Sequence, residues 1–326
     1  MRALPLVFFI FSFLLLFTSC AVPTSQTQAD VDETIEEQDN SSETQEIIEE
    51  EIPEESEEER SEEETEEERF PLGDGKYSSN AKKGFVFSCE SSFHGGGAFQ
   101  DGPWIQGDYW IPSAKDVHVS GSVDWPNAIF TLSLQGDERI ISANNLPINH
   151  NTGVYPVQKD DEAYKYDRNP HSIEEQDLAI SLPAVPELAA EASCLGRGVI
   201  GIMLSGVPLY NALDEMGRDA VAHEIQDSCE GHPQEEGQYH YHSESDCFED
   251  DEQGHSALLG YALDGFGIYG KYGDGGVLLH TEDLDVCHGH SHEILWDGEV
   301  REIYHYHFTD DYPYSLGCFM GEPVSL

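Results

Sequence analysis

One ordered set of residues occurs twice in the second half of this chain, and it narrows the fold more than anything else in the sequence. The first copy runs Asp227, Cys229, Gly231, His232, then Tyr239-His240-Tyr241-His242, then Cys247-Phe248. The second runs Asp285, Cys287, Gly289, His290, then Tyr304-His305-Tyr306-His307, then Cys318-Phe319. Insertions of different length separate the blocks, but their order is unchanged. Upstream, the stretch from Gly206 to Tyr210 echoes the stretch from Gly265 to Tyr269. A tetrad repeated with matching flanks points to a duplicated unit, although two copies fall short of a solenoid.

The pattern around this repeat is that of a β-rich chain. Val117–Val123, Ala128–Gln135 and Glu138–Ala143 cluster or alternate β-forming residues between Gly, Pro and Asn, as do Gly198–Leu204, His255–Leu263 and Gly276–His280. Glu302–Phe308 reads as a strand with alternating faces. Ala212–His223 and Ile173–Ile180 are the helix candidates. Thirty glycines and 16 prolines in short punctuated runs favour many loops. The expected fold class is mainly β with a few short helices, built as a single disulfide-bonded domain over residues 85–326 with an internal duplication in its C-terminal half.

In an extended strand, residues i and i+2 share a face. His240 and His242 therefore project together, with Tyr239 and Tyr241 packing on the other side, and His305 and His307 repeat the arrangement. Neutral imidazoles converge without burying unpaired charge, which suits a metal ion. The Cys-x-Gly turn brings one more histidine in each copy. The expected ligand sets are His232 with His240 and His242, and His290 with His305 and His307, forming either two sites or halves of one. The set is imidazole-rich and free of evident thiolates, which favours copper or zinc, while the many acids suit calcium as an additional structural ion. The segment His288–His292 reads equally as a solvated loop. His94, His118, His150, His171 and His223 lack comparable support.

Seven cysteines divide in the same way. Cys20 closes a leader in which Met1-Arg2 precedes an apolar run from Leu6 to Phe17, too short to span a bilayer comfortably. Residues 1–20 resemble a bacterial lipoprotein signal. That resemblance implies cleavage before Cys20, a lipid anchor through its thiol, and an exported chain on the cell surface or the periplasmic face of a membrane; an ordinary secretory signal is the alternative. Outside the cytoplasm the other six cysteines favour disulfides. The symmetry of the repeat pairs Cys229 with Cys247 and Cys287 with Cys318, leaving Cys89 for Cys194.

The formal charge of −50 is uneven. Residues 30–69 hold 22 Asp and Glu against Arg60 and Arg69. Such a segment buries too little apolar surface to offset its ordering entropy, so residues 21–69 are expected to form a disordered acidic tether. The remainder is also strongly acidic, which excludes nucleic acid as a main partner and favours a metal ion.

The segment Gly237–His242, preceded by Cys229, His232 and Pro233, resembles the YHYH-domain family of exported proteins. Asn211–Asp214, Gly260–Gly270 and the closing Tyr304–Cys318 block carry the same likeness, over about residues 85–320. The resemblance implies an exported domain and no particular reaction.

Three function classes follow. The first is a membrane-tethered metal-binding domain using paired histidine strands. The second is a metal-dependent extracellular hydrolase, with Asp214, Asp264 or Glu224 as general base. The third is a structural or adhesive surface domain stapled by metal. No nucleophile elbow, phosphate loop or dinucleotide fingerprint occurs.

Overall fold

A computed structural model describes residues 68–250 and 254–326. The expected signal, Cys20 and all but the last two residues of the tether lie outside them. The chain is β-rich, with one four-residue α-helix and three 3-10 turns among the described residues. No described helix is long and apolar enough to cross a membrane.

A three-stranded meander comes first in the part that matters here: β1 (Phe130–Gln135), β2 (Glu138–Ala143) and β3 (Leu178–Pro183), all antiparallel in the order β1-β2-β3. Ile141, Ile180 and Leu182 point into the core from it. Buried Arg139 leaves this sheet to bond Asp297 at 2.8 Å, and its guanidinium lies 4.3 Å from the Tyr261 ring centre. The cation is thus held by a carboxylate and an aromatic face at once. It ties the meander to the main sheet.

The main sheet has eight strands. These are β4 (Val199–Met203), β5 (Pro208–Tyr210), β6 (Gly231–Pro233), β7 (Tyr239–Tyr241), β8 (Leu258–Ala262), β9 (Gly267–Tyr269), β10 (Gly289–Trp296) and β11 (Glu299–His307). Their order is β6-β7-β5-β4-β8-β9-β11-β10. That order reads the same from either edge once the two copies are matched strand for strand. Within each half the pairings also correspond: β5–β7 and β9–β11 are parallel, and the other pairs are antiparallel. The halves meet at the antiparallel β4–β8 pair, where Gly201 faces Ala262 and Gly260 faces Met203. A Cβ on Gly201 would stand 2.9 Å from the Tyr261 carbonyl oxygen, and one on Gly260 2.7 Å from that of Ile202. The matching glycines allow the two copies to close on each other.

The tetrad tyrosines fill the core on one side of this sheet: Tyr239, Tyr241, Tyr304 and Tyr306 are all buried, among Ile202, Leu209, Phe266 and Trp296. Three disulfides join Cys89 to Cys194, Cys229 to Cys247 and Cys287 to Cys318, the pairing that repeat symmetry implies.

Several expected elements change. The helix over Ala212–His223 shrinks to α1 (Ala220–His223). Asp214 draws the backbone N–H groups of Met216 and Arg218 into a turn, and Gly217 takes φ of 75° there. Ile173–Ile180 is not helical; its end enters β3, where pairing with β2 satisfies the backbone. Val117–Val123 makes only single bridges, Val119 to Asp227 and Val123 to Thr152.

Candidate metal centres

Each histidine set is assembled by the same local device. Asp227 accepts the backbone N–H groups of Cys229 (2.9 Å) and Gly231 (3.3 Å) and the Tyr239 hydroxyl (2.9 Å). Asp285 does the same for Cys287 (2.8 Å), Gly289 (3.1 Å) and Tyr304 (3.0 Å). The left-handed residue of the turn is the one before glycine, Glu230 at φ 60° and His288 at φ 74°. Gly231 and Gly289 are needed for space: a Cβ would fall 2.2 Å from the Tyr239 ring and 2.4 Å from the Tyr304 hydroxyl. The turn then sets His232 opposite His240 and His290 opposite His305 in antiparallel register. His242 and His307 follow two residues along.

In the first centre, His232, His240 and His242 are all buried and offer nitrogens within 4.8 Å of one another. The Nε2 atoms of His240 and His242 are 3.2 Å apart. His240 donates from Nδ1 to the Gln238 carbonyl at 3.1 Å, and His242 to that of Asn211 at 2.5 Å. A carbonyl only accepts, so each Nδ1 carries the proton and each Nε2 presents a bare lone pair. Burial keeps these rings neutral, holding His232 and His240 well below the ordinary imidazole range and His242 at about 4. Neither ring nitrogen of His232 has a hydrogen-bond partner.

The second centre repeats this and adds to it. His305 Nδ1 donates to Ile303 O (3.1 Å) and His307 Nδ1 to Gly270 O (2.6 Å), the latter being the counterpart of Asn211. His290 Nε2 lies 3.1 Å from the Nε2 atoms of both. His255, with Nδ1 on the Ser256 carbonyl, brings its Nε2 to 3.2 Å from His305 Nε2. His292 completes a group of five whose donors lie within 4.8 Å of one another. Burial, with the neighbouring imidazoles, pushes His305 down to about 2 and His290 to about 4.

All six histidines singled out in the sequence therefore lie in two clusters of three. The clusters are separate: β7 and β11 stand five positions apart in the sheet, about 24 Å at ordinary strand spacing. His255 and His292 extend the second cluster. His292 obeys the same i+2 rule as His242, but the segment read equally as a loop; in the fold it lies inside β10. His255 stands three residues before β8 with no partner histidine in sequence. His288 takes no part and bonds the Thr309 hydroxyl at 2.9 Å.

The carboxylates separate sharply. Asp214 is bonded to Arg218 and caps its own turn. Asp264 takes the Tyr306 hydroxyl and the Gly321 N–H, and stands where the first copy has Ser205. Asp264 belongs to neither cluster, and Asp214, although it lines the same cavity as the first cluster, is committed to Arg218 and its own turn. Glu224, directly after α1, is buried with Oε2 3.6 Å from the Nε2 atoms of both His232 and His242. Burial raises its carboxyl well above the usual range, with the Asp167 and Asp214 charges adding to the effect. A cavity of about 570 Å³ is lined by Glu224, His232, His240 and His242 together with Tyr210, whose ring stacks on His240 at 3.9 Å. His150 approaches Cys229 and Cys247, but those sulfurs form a disulfide and His150 Nε2 is taken by the Tyr241 hydroxyl at 2.6 Å.

A family model described as YHYH protein matches residues 179–278. The matched stretch is similar to that family. It runs from β3 past β9 and holds the first centre complete, together with His255. The second YHYH tetrad lies beyond it, so the match is narrower than the 85–320 span of the resemblance. No curated protein and no solved structure matches the chain.

Proposed function

We propose that the protein is an exported metal-binding domain, tethered through lipid on Cys20, that takes copper or zinc in two separate histidine centres. One observation carries the reading. In each centre two neutral imidazoles whose Nδ1 protons are already committed turn bare Nε2 atoms towards each other at 3.2 Å, His240 and His242 both buried, His305 buried against half-buried His255. Two lone pairs at that distance repel, and neither ring has a proton to share. A cation between them reverses the sign. Nitrogens about 2.0–2.1 Å from one ion, at angles between right-angled and tetrahedral, stand roughly 3 to 3.4 Å apart. The carbonyls behind each Nδ1 are the partners that orient histidine ligands in metal sites. All-nitrogen donors favour copper or zinc; calcium takes oxygen. In the second centre, five imidazoles from three segments also support a stapling role, and chelation there is expected to lower stability.

Elemental analysis of the purified full-length chain tests this reading. The expected result is one ion per centre, two per chain, falling to one in His240→Ala/His242→Ala and to one in His305→Ala/His307→Ala. Unchanged, substoichiometric metal in all three proteins would overturn it.

A further inference from the structure

We infer that the first centre is a catalytic one, hydrolysing uncharged or cationic carbonyl esters or amides with Glu224 as general base; this rests on metal binding there. The duplication supplies an internal comparison. Both copies hold the same three histidines, and the second adds His255 and His292. The matching positions in the first copy are Gly196 and Gln234, neither of which offers an imidazole. The first centre is thus short of ligands where the second is rich, and a catalytic site keeps such a position open. The glutamates diverge in the same sense. Glu282, the counterpart of Glu224, is exposed on a 3-10 turn, whereas Glu224 is turned inward.

The placement of Glu224 suits a base better than a fourth ligand. A fourth tetrahedral ligand stands equally close to all three donors, but Oε2 approaches the Nε2 atoms of His232 and His242 at 3.6 Å and makes no such approach to His240. It flanks the open position. The cavity gives that position access to a ligand of ordinary small-molecule size. Its lining also sets the substrate's charge: Asp167, Glu215 and Glu235 outnumber Arg168, so phosphate esters are disfavoured.

A cation held by the three histidines supplies a Lewis acid. Water adds to the carbonyl carbon and its proton passes to Glu224. The C–O or C–N bond then breaks, and that proton goes to the departing alkoxide or amine, leaving the carboxylic acid and the alcohol or amine. No oxidant or reductant is consumed.

The test uses zinc-loaded full-length protein with p-nitrophenyl acetate, p-nitrophenyl phosphate as the anionic control, and zinc content measured on the same samples. The expected result is acetate hydrolysis that is abolished by chelation, no phosphatase activity, and a rate about 10²–10⁴-fold lower in Glu224→Gln with zinc stoichiometry unchanged. Retained zinc shows that the variant's site is still folded. An unchanged rate in the variant, loss of zinc from it, preference for the phosphate ester, or a zinc-loaded wild type that hydrolyses neither ester would each overturn the proposal. Absence of zinc from the wild type would instead defeat the metal reading beneath it.

Discussion

Asp227 illustrates how much of each centre depends on groups that never face the histidines. Its buried carboxylate collects the N–H groups of Gly153, Cys229 and Gly231 together with the Tyr239 hydroxyl. Removing one acceptor would orphan four buried donors, each costing free energy when left unpaired. Asp227→Ala is therefore expected to lower the unfolding free energy by about 2–4 kcal/mol in urea titration. A loss below about 1 kcal/mol would contradict the capping role. At this scale the sequence was only partly legible. The i+2 rule marked the paired histidines because a strand's side-chain period is local. The repeated Asp was visible, but its partners come from residues as distant as Gly153, and no spacing encodes them. Glu224 was one of three candidate carboxylates. Only the fold separates it from Asp214 and Asp264, which are taken by Arg218 and Tyr306.

Among the elements, the β6–β7 and β10–β11 hairpins carry the ligands, and a disulfide closes the far end of each. Cys229–Cys247 spans 18 residues and Cys287–Cys318 spans 31. Loop-closure entropy predicts a cost of about 2–4 kcal/mol for replacing either pair by alanine, with the longer loop costing roughly 0.5 kcal/mol more. Denaturant unfolding of the two double variants checks both statements; equal stability to wild type would show that the bridges do not restrain the hairpins. The strands of the second half were readable because their alternation and Gly punctuation coincide with β4, β8 and β11. The helix expected over Ala212–His223 forms only at Ala220–His223, since side-chain capping by Asp214 and the left-handed Gly217 outweigh the alanines there. His255 carries no signal in sequence because its partners lie on β10 and β11, which tertiary pairing alone brings near.

At the scale of the molecule, the duplication is the organising fact. Two four-strand units join through β4 and β8 into one sheet, and their histidine clusters fall on separate halves of it. A repeat in sequence did not choose between one shared site and two; the antiparallel junction in the middle of the sheet does, by holding the clusters apart. The copies have then diverged, one towards five imidazoles, the other towards three imidazoles beside a glutamate and a cavity. Anomalous scattering from crystals of the zinc-loaded chain tests this account most directly. It predicts two peaks about 24 Å apart, one among His232, His240 and His242, the other among His255, His290, His292, His305 and His307. Zinc bound only away from both clusters, with the paired imidazoles empty, would contradict it.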